Sequence, residues 1–469
     1  MSVQAVDLLR PPPAEEVAAR PAHGPAMAPP SVSVRTALRR AAVRFALRSL
    51  LGVHWLLLAV TRLCGARPRR RRRGRRCTLL LTGKFYSRNW ITAHLRPLAA
   101  SRWCERVWIV SDFPLPALPG VYAIRPPAWL AAGIGEAPAR LLTFAWAAWR
   151  HRPHVIGGFH LLINGLAGEV LARLVGARCL YFCVGGPMEV IDGGIWAENR
   201  LFGRLETPDA VIERRLVRAA GACDDVITMG TRAVRFFRRN RTQARFHVVP
   251  GGIDEVRFRP GDGPAEYDLI LVGRLAAIKR IDLFLRVVAE VARAVPAVQA
   301  VVVGDGELRG GLNKQLHELG LSDRVVLAGH RADVESWLRR ARVFVLTSQS
   351  EGLALSLMEA MSCGLPAVVS DVGDLADLVE DGVNGHLVPR DAPAAAFAAP
   401  IIALLTDPAR YESFRRAARA SAGRFTVEAM RRAWDAILAP PGTPAAGWRN
   451  ETIIAPAGTV TDDGSRSQG

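Results

Sequence analysis

Lysine is almost missing from this chain: Lys84, Lys279 and Lys314 are the three among 62 basic residues. Arginine offers a planar fork and lysine a compact, mobile point charge, so a site that needs one mobile ammonium cannot always accept arginine, and each lysine in so arginine-rich a chain raises that question against chance survival. For Lys314, in the helical stretch from Arg309 to Leu319, chance survival is reading enough. Cysteine is also sparse. The seven (Cys64, Cys77, Cys104, Cys179, Cys183, Cys223, Cys363) are odd in number and scattered, and none forms a Cys-x-x-Cys pair. That argues against a zinc site or a disulfide framework and points to a reduced, cytoplasmic setting. No apolar run reaches the roughly 20 residues of a comfortable transmembrane helix.

What is abundant is positive charge, and its distribution limits its meaning. Of the formal +19, residues 1–76 hold sixteen arginines against three acids, a net of +13. The remainder is nearly ordinary, so no nucleic-acid partner is expected for the globular part. Within the extension, arginines precede the run Leu50 to Val60, and Arg69 to Arg76 follow it. A helix over about 33–64 lying in the membrane interface, with residues 33–76 attracted to an anionic surface, suits this pattern. A signal peptide, a core helix and a nucleic-acid arm compete with that reading. The first thirty residues, rich in Pro and Ala, and the tail 439–469 are expected to be disordered.

From Cys77 onward short apolar runs alternate with helical segments. Leu79–Gly83, Val107–Ser111, His154–Phe159, Cys179–Val184 and Asp225–Thr228 form one series. Asp268–Gly273, Gln299–Gly304, Val325–Gly329, Val343–Thr347 and Ala367–Ser370 form a second, after a Gly-, Pro- and charge-rich linker at 251–266. Such runs predict parallel strands buried on both faces, hence an α/β chain of two doubly wound, Rossmann-like domains, 77–250 and 267–424, with a cleft between them and a closing helix at 425–438.

Candidate chemistry gathers at strand ends. Gly273-Arg274, with Lys279 five residues later, places two cations beside a glycine that permits close approach, an arrangement suited to a diphosphate. An exposed ion pair with Asp282 is the alternative for Lys279. Gly304-Asp-Gly306 follows the next strand, but position 309 is Arg, so a dinucleotide fingerprint is not met and a tight turn lining a nucleotide pocket is expected instead. Glu351-Gly352-Leu353-Ala354 leads into a helix carrying Glu359. Two carboxylates so spaced suit the recognition of sugar hydroxyls; ordinary solvated helix carboxylates are the other reading.

In order and spacing these pieces resemble the retaining, family-4 glycosyltransferases of GT-B fold, closely over about Asp225–Pro389 and more loosely over Cys77–Met229 and Phe425–Leu438. The markers are Gly273-Arg274 with Lys279, Gly304-Asp-Gly306, Glu351 to Glu359 with Ala360-Met361, Gly364-Leu-Pro366 and Asn384-Gly385. The resemblance implies transfer of a sugar from a nucleotide-diphosphate sugar with retention of anomeric configuration. It implies that Arg274 and Lys279 neutralise the leaving diphosphate, that Glu351 binds donor-sugar hydroxyls, that Glu359 holds the ribose, and that His160, in Gly157-Gly-Phe-His160, faces the donor sugar across the cleft. Gly273, Gly304, Gly306, Gly352, Leu353 and Ala354 complete the expected donor site. Gly83-Lys84 is expected near the donor phosphates or the acceptor, although the usual family glycine pair is missing there, and Gly185-Gly-Pro187 with Glu189 on the acceptor side.

The chain holds no Asp-x-Asp, the usual metal signature of the other major glycosyltransferase fold, so neither metal nor cofactor is expected. Two departures stand out: Asp374 and Asp377 occupy the loop where the family often has Gly and Glu, and Arg280 replaces a glycine after Lys279. The expected activity is transfer onto a polysaccharide, glycolipid or lipid-linked acceptor at the cytosolic membrane face. The alternatives are a sugar-nucleotide epimerase of the same fold and a non-catalytic membrane- or nucleic-acid-binding protein with a degenerate fold.

Overall fold

The computed structural model describes residues 34–64, 76–85, 87–191, 204–205 and 207–440. The disorder expected for the first thirty residues and for 441–469, and residues 69–75 of the basic cluster, lie outside them.

Two parallel sheets organise the chain. The first holds β1 (Cys77–Thr82), β2 (Cys104–Val110), β3 (Val121–Ile124), β4 (Val155–Phe159), β5 (Arg178–Cys183), β6 (Asp225–Thr228) and β7 (Arg245–Val248), in the order β3-β2-β1-β4-β5-β6-β7. The second holds β8 (Tyr267–Val272), β9 (Ala300–Val303), β10 (Val325–Gly329), β11 (Ala341–Leu346), β12 (Ala367–Ser370) and β13 (Gly385–Val388), in the order β10-β9-β8-β11-β12-β13. In each sheet the order reverses beside the first strand, which leaves a crevice at the carboxyl ends, the usual place for a ligand in an open α/β sheet.

Burial explains why most strands were legible. Leu79, Leu81, Val107 and Ile109 turn to one face, and Leu80, Val110, Ile156 and Tyr181 to the other, and all are buried. Three strands were not foreseen: β3, β7 and β13. Each is the edge of its sheet, covered less completely, and so lacks the continuous apolar run of a central strand.

The chain returns to the first domain at its end. The helix Val427–Leu438 packs on α2 (Arg88–Ala99). Asp435 accepts from Ser101 Oγ at 2.7 Å, and Trp434 is fully buried near Phe182. The linker side of this crossing is tied too, since the Gly252 amide donates to the Ala93 carbonyl at 2.7 Å.

At the other end, α1 (Val34–Cys64) corrects one sequence expectation. The apolar run is embedded in a 31-residue helix, and Arg35–Leu63 is long and apolar enough to cross a membrane by length and composition. One face of it nevertheless belongs to the first domain. Val43, Leu47, Leu51 and Leu58 are buried, His54 Nε2 lies 3.1 Å from the buried Glu169, and Arg48 donates to Asp209 at 3.0 Å. The core-helix reading describes this side of α1, while its outer face, with Phe45, Leu56, Val60 and Leu63, is exposed and apolar.

Candidate active site

A cavity of about 670 Å³ opens between the two domains. Its second-domain wall comes from the carboxyl ends of β8 and β11. After β8 the chain turns at Gly273-Arg274 and passes through a short turn, Ala277–Lys279, that presents the lysine inward. After β11 the loop Thr347–Ala354 carries Glu351 beside it. Thr347 Oγ1 donates to the Arg280 carbonyl at 2.9 Å and the Gln349 amide to the Ile278 carbonyl at 2.8 Å, so the two loops are clamped together.

That clamp brings the chemistry together. Lys279 Nζ donates to Glu351 Oε1 at 2.6 Å, and Ser348 Oγ donates to the same oxygen at 2.5 Å. The alternative pairing of Lys279 with Asp282 is not what forms; Asp282 accepts from Arg286 one helical turn away. Lys314 pairs loosely with Glu318 on an exposed helix face, at 3.7 Å.

Glu351 precedes the helix Leu355–Ser362, whereas Glu359 lies within it. Glu359 lines the cavity and is otherwise buried. Burial pushes its carboxyl up to about 8, against the pull of Arg257. Near neutral pH and without a ligand it therefore holds its proton, and in that form it can donate to a hydroxyl oxygen as well as accept from the hydroxyl.

Gly273, Arg274, Gly352, Leu353 and Ala354 line the cavity as well. A side chain at Gly273 would meet Lys279 at an ordinary 3.7 Å, so the glycine leaves room rather than relieving a clash. Gly304 and Gly306, expected to touch the donor, are not among the lining residues. They are glycines for another reason. A Cβ at Gly304 would fall 1.8 Å from the Gly273 carbonyl and one at Gly306 would fall 2.5 Å from that of Leu275, so both let the site loop pack on its neighbour. Arg280 is not among the lining residues and reaches Gln349; its φ of 45° is the left-handed conformation that a glycine there would adopt without strain.

The opposite wall belongs to the first domain. His160 follows β4 at a positive φ of 63° and lines the cavity. Its Nδ1 lies 3.0 Å from Glu189 Oε1, and a carboxylate partner makes Nδ1 the donor and fixes the ring. Glu189 is more central than its sequence position indicated. It is buried and also accepts from the Leu161 amide (3.0 Å), the Gly185 amide (2.7 Å) and Tyr181 Oη (2.6 Å). Burial works to raise its pKa, but the charge and hydrogen bond of His160, with the other donors, outweigh burial and hold it below the usual carboxylate value. Lys84 lines the same cavity beside an aromatic wall of Phe85, Trp90 and Phe159, which no local motif announced.

Asp374 and Asp377 do not face the cavity. They bridge the domains: Asp377 accepts from the Thr231 amide at 2.6 Å and from its hydroxyl at 2.7 Å, and Asp374 accepts from the Arg232 amide at 2.6 Å. Both cap the helix Thr231–Arg239, whose exposed amides favour negative charge. Among the described residues, no group of three or more His, Cys, Asp or Glu is placed to hold a metal ion.

Residues 266–407 match the family model for glycosyl transferases, group 1. That match covers most of the second domain and none of the first. Relatives of this chain include D-inositol 3-phosphate glycosyltransferases. That of Segniliparus rotundus is 37% identical over 201 residues, 39% of this chain and 44% of the relative. That of Kribbella flavida is 29% identical over 325 residues, 62% of this chain and 74% of the relative. The chain thus spans about half the length of several of the curated relatives it matches. Among solved structures, sucrose-phosphate synthase from Thermosynechococcus elongatus superimposes with a TM-score of 0.63 at 21% identity, covering 76% of this chain and 96% of that one. Anabaena HepE in complex with UDP gives 0.58 at 19% identity, covering 76% and 97%. The fold is GT-B: two Rossmann-like domains facing across a cleft.

Proposed function

We propose that the chain is a retaining, metal-independent glycosyltransferase that moves a sugar from a nucleotide-diphosphate sugar to a glycan, glycolipid or lipid-linked acceptor at the cytosolic face of a membrane. The observation that carries the reading is the Lys279–Glu351 pair, with Arg274 beside it, opposite His160 on Glu189 across one cavity. Without a donor, Lys279 and Glu351 neutralise each other, so neither charge is buried alone. A bound donor redistributes the pair: the ammonium turns to the diphosphate and the carboxylate to sugar hydroxyls. As the anomeric bond breaks, charge grows on the β-phosphate and the sugar becomes oxocarbenium-like. Cations already in place stabilise that state more than the ground state. His160, its ring fixed by Glu189, supplies a hydrogen bond beside the reacting carbon.

The apolar outer face of α1 supports the membrane part, and the activity for which the relatives are named supports a hydroxyl-bearing acceptor. The test is release of nucleotide from radiolabelled UDP-sugars offered with membrane extracts as acceptor. Lys279→Ala and Glu351→Ala are expected to lower turnover by about a hundredfold or more, the scale for removing one stabilising group from a charged transition state. Chelation with EDTA is expected to leave turnover unchanged. Undiminished transfer by both variants would refute the site, and loss of activity with EDTA would refute metal independence.

A further inference from the structure

The membrane reading above rests on α1, yet a second surface of the first domain shows the same chemistry. Helices α3 (Ala128–Ile134) and α4 (Glu136–His151) follow β3. Trp129 is 74% exposed, Trp146 53% and Trp149 67%. Leu142, Trp146 and Trp149 recur at helical spacing and form one ridge, while Phe144, Ala147 and Ala148 are buried beneath it. A helix facing water would carry charge on that ridge. Here no charged residue occurs between Arg140, which is buried against Asp112, and Arg150.

Charge flanks the ridge and is of one sign. Arg125 before α3 and Arg150 and Arg152 at the end of α4 are exposed, and Glu136 is the one acid between residues 125 and 152. The ridge and α1 lie on the same side of the first domain. Both α4 and α1 pack on α5 (Leu166–Val175), so all three helices cover the same side of the first sheet. Exposed tryptophans with arginines at their margins are the composition of a surface seated at the lipid headgroup level. A second copy of the chain fits worse, because a symmetric contact through the ridge would bring the two arginine sets together with little acid to oppose them.

We propose that the α3–α4 ridge is a second lipid-contacting element that seats the first domain, together with the outer face of α1, on an anionic bilayer. α3 starts from the carboxyl end of β3, the end at which the cleft opens, and the Arg140–Asp112 ion pair (2.8 Å) ties α4 to the loop after β2. Trp129 therefore lies at the cleft end of the domain, where an acceptor carried in the bilayer would arrive. Two contacts fix an orientation that one helix leaves free to roll.

The proposal extends the membrane part of the function and can fail apart from it. Flotation of the full chain would be measured with phosphatidylcholine vesicles containing roughly one third phosphatidylglycerol, and with neutral vesicles. The proteins compared are the unaltered chain, Trp146→Ser/Trp149→Ser, Trp129→Ser and Leu56→Ser/Val60→Ser. The substituted side chains are exposed, so thermal midpoints are expected to stay unchanged. The unaltered chain is expected to float with anionic vesicles and less with neutral ones. Both double variants should need on the order of tenfold more lipid for half-binding, and Trp129→Ser a smaller increase in the same direction. If the ridge variants bind like the unaltered chain while Leu56→Ser/Val60→Ser is released, the ridge proposal falls and α1 alone is the anchor. If the unaltered chain fails to float, both readings fall. If Trp146→Ser/Trp149→Ser keeps its lipid binding but changes from dimer to monomer by light scattering, the ridge is a self-association face and the proposal is overturned.

Discussion

At the scale of single residues, the site is decided by which charges are paired and which are sealed. Lys279 and Glu351 are seventy-two positions apart and share a 2.6 Å hydrogen bond. The sequence singles out both, but the one ion pair it can suggest for Lys279, as the alternative to a diphosphate, is the near neighbour Asp282, because only neighbours along the chain can be judged without coordinates. Glu359 was equally legible as a residue and illegible as an acid. Its value of about 8 comes from burial, which is a property of the packed helix. The folded pKa lies above the unfolded value of about 4.3, so the folded state binds the extra proton between them. The stability tied to that proton is full below the unfolded value and is lost as pH rises through about 8. Thermal midpoints measured from pH 5 to pH 9 should therefore fall more for the unaltered protein than for Glu359→Gln; equal falls would show that Glu359 ionises normally.

At the scale of elements, the same residue type does opposite work in one short segment. Gly304 has φ 148° and meets the Gly273 carbonyl, while Gly310, in the exposed helix Arg309–Glu318, would have nothing within 4 Å of an added methyl group. Gly304→Ala is expected to destabilise by about 2–3 kcal/mol through overpacking and backbone strain. Gly310→Ala should stabilise by about 0.5–1 kcal/mol through helix propensity. Urea denaturation of the two variants decides this, and similar effects would place Gly304 outside the packing role. Elements with two buried faces announced themselves, and the ten apolar runs all appear as strands, the edge strand β10 among them by its Val325-Val-Leu run. The edge strands β3, β7 and β13 did not, since an edge is defined by neighbours it lacks and the run leaves no trace of that. For α1, composition showed an apolar helix but could not say that one face of it meets Glu169 and Asp209.

At the scale of the whole molecule, the two domains are held across the cleft by Asp374 and Asp377 on one helix N-terminus. Burial, and the neighbouring charge of Asp377, push Asp374 up to about 7. Asp377→Ala removes the acceptor of two hydrogen bonds and should cost about 1–3 kcal/mol. It should also increase the radius of gyration seen by small-angle X-ray scattering; an unchanged radius would mean that the returning helix Val427–Leu438 alone sets the closure. By itself the sequence determined the two-sheet α/β plan and the strand-end residues Gly273, Arg274, Lys279, Glu351 and Glu359 that line the cavity, because doubly buried strands and strand-end motifs are local patterns of a few residues. Tertiary structure alone decided that Lys279 pairs with Glu351, that Glu189 holds His160, that Gly304 and Gly306 serve packing, and that α1 and α4 show apolar faces on one side. Each depends on distances between segments far apart in the chain, and those distances exist only once burial has brought the segments together.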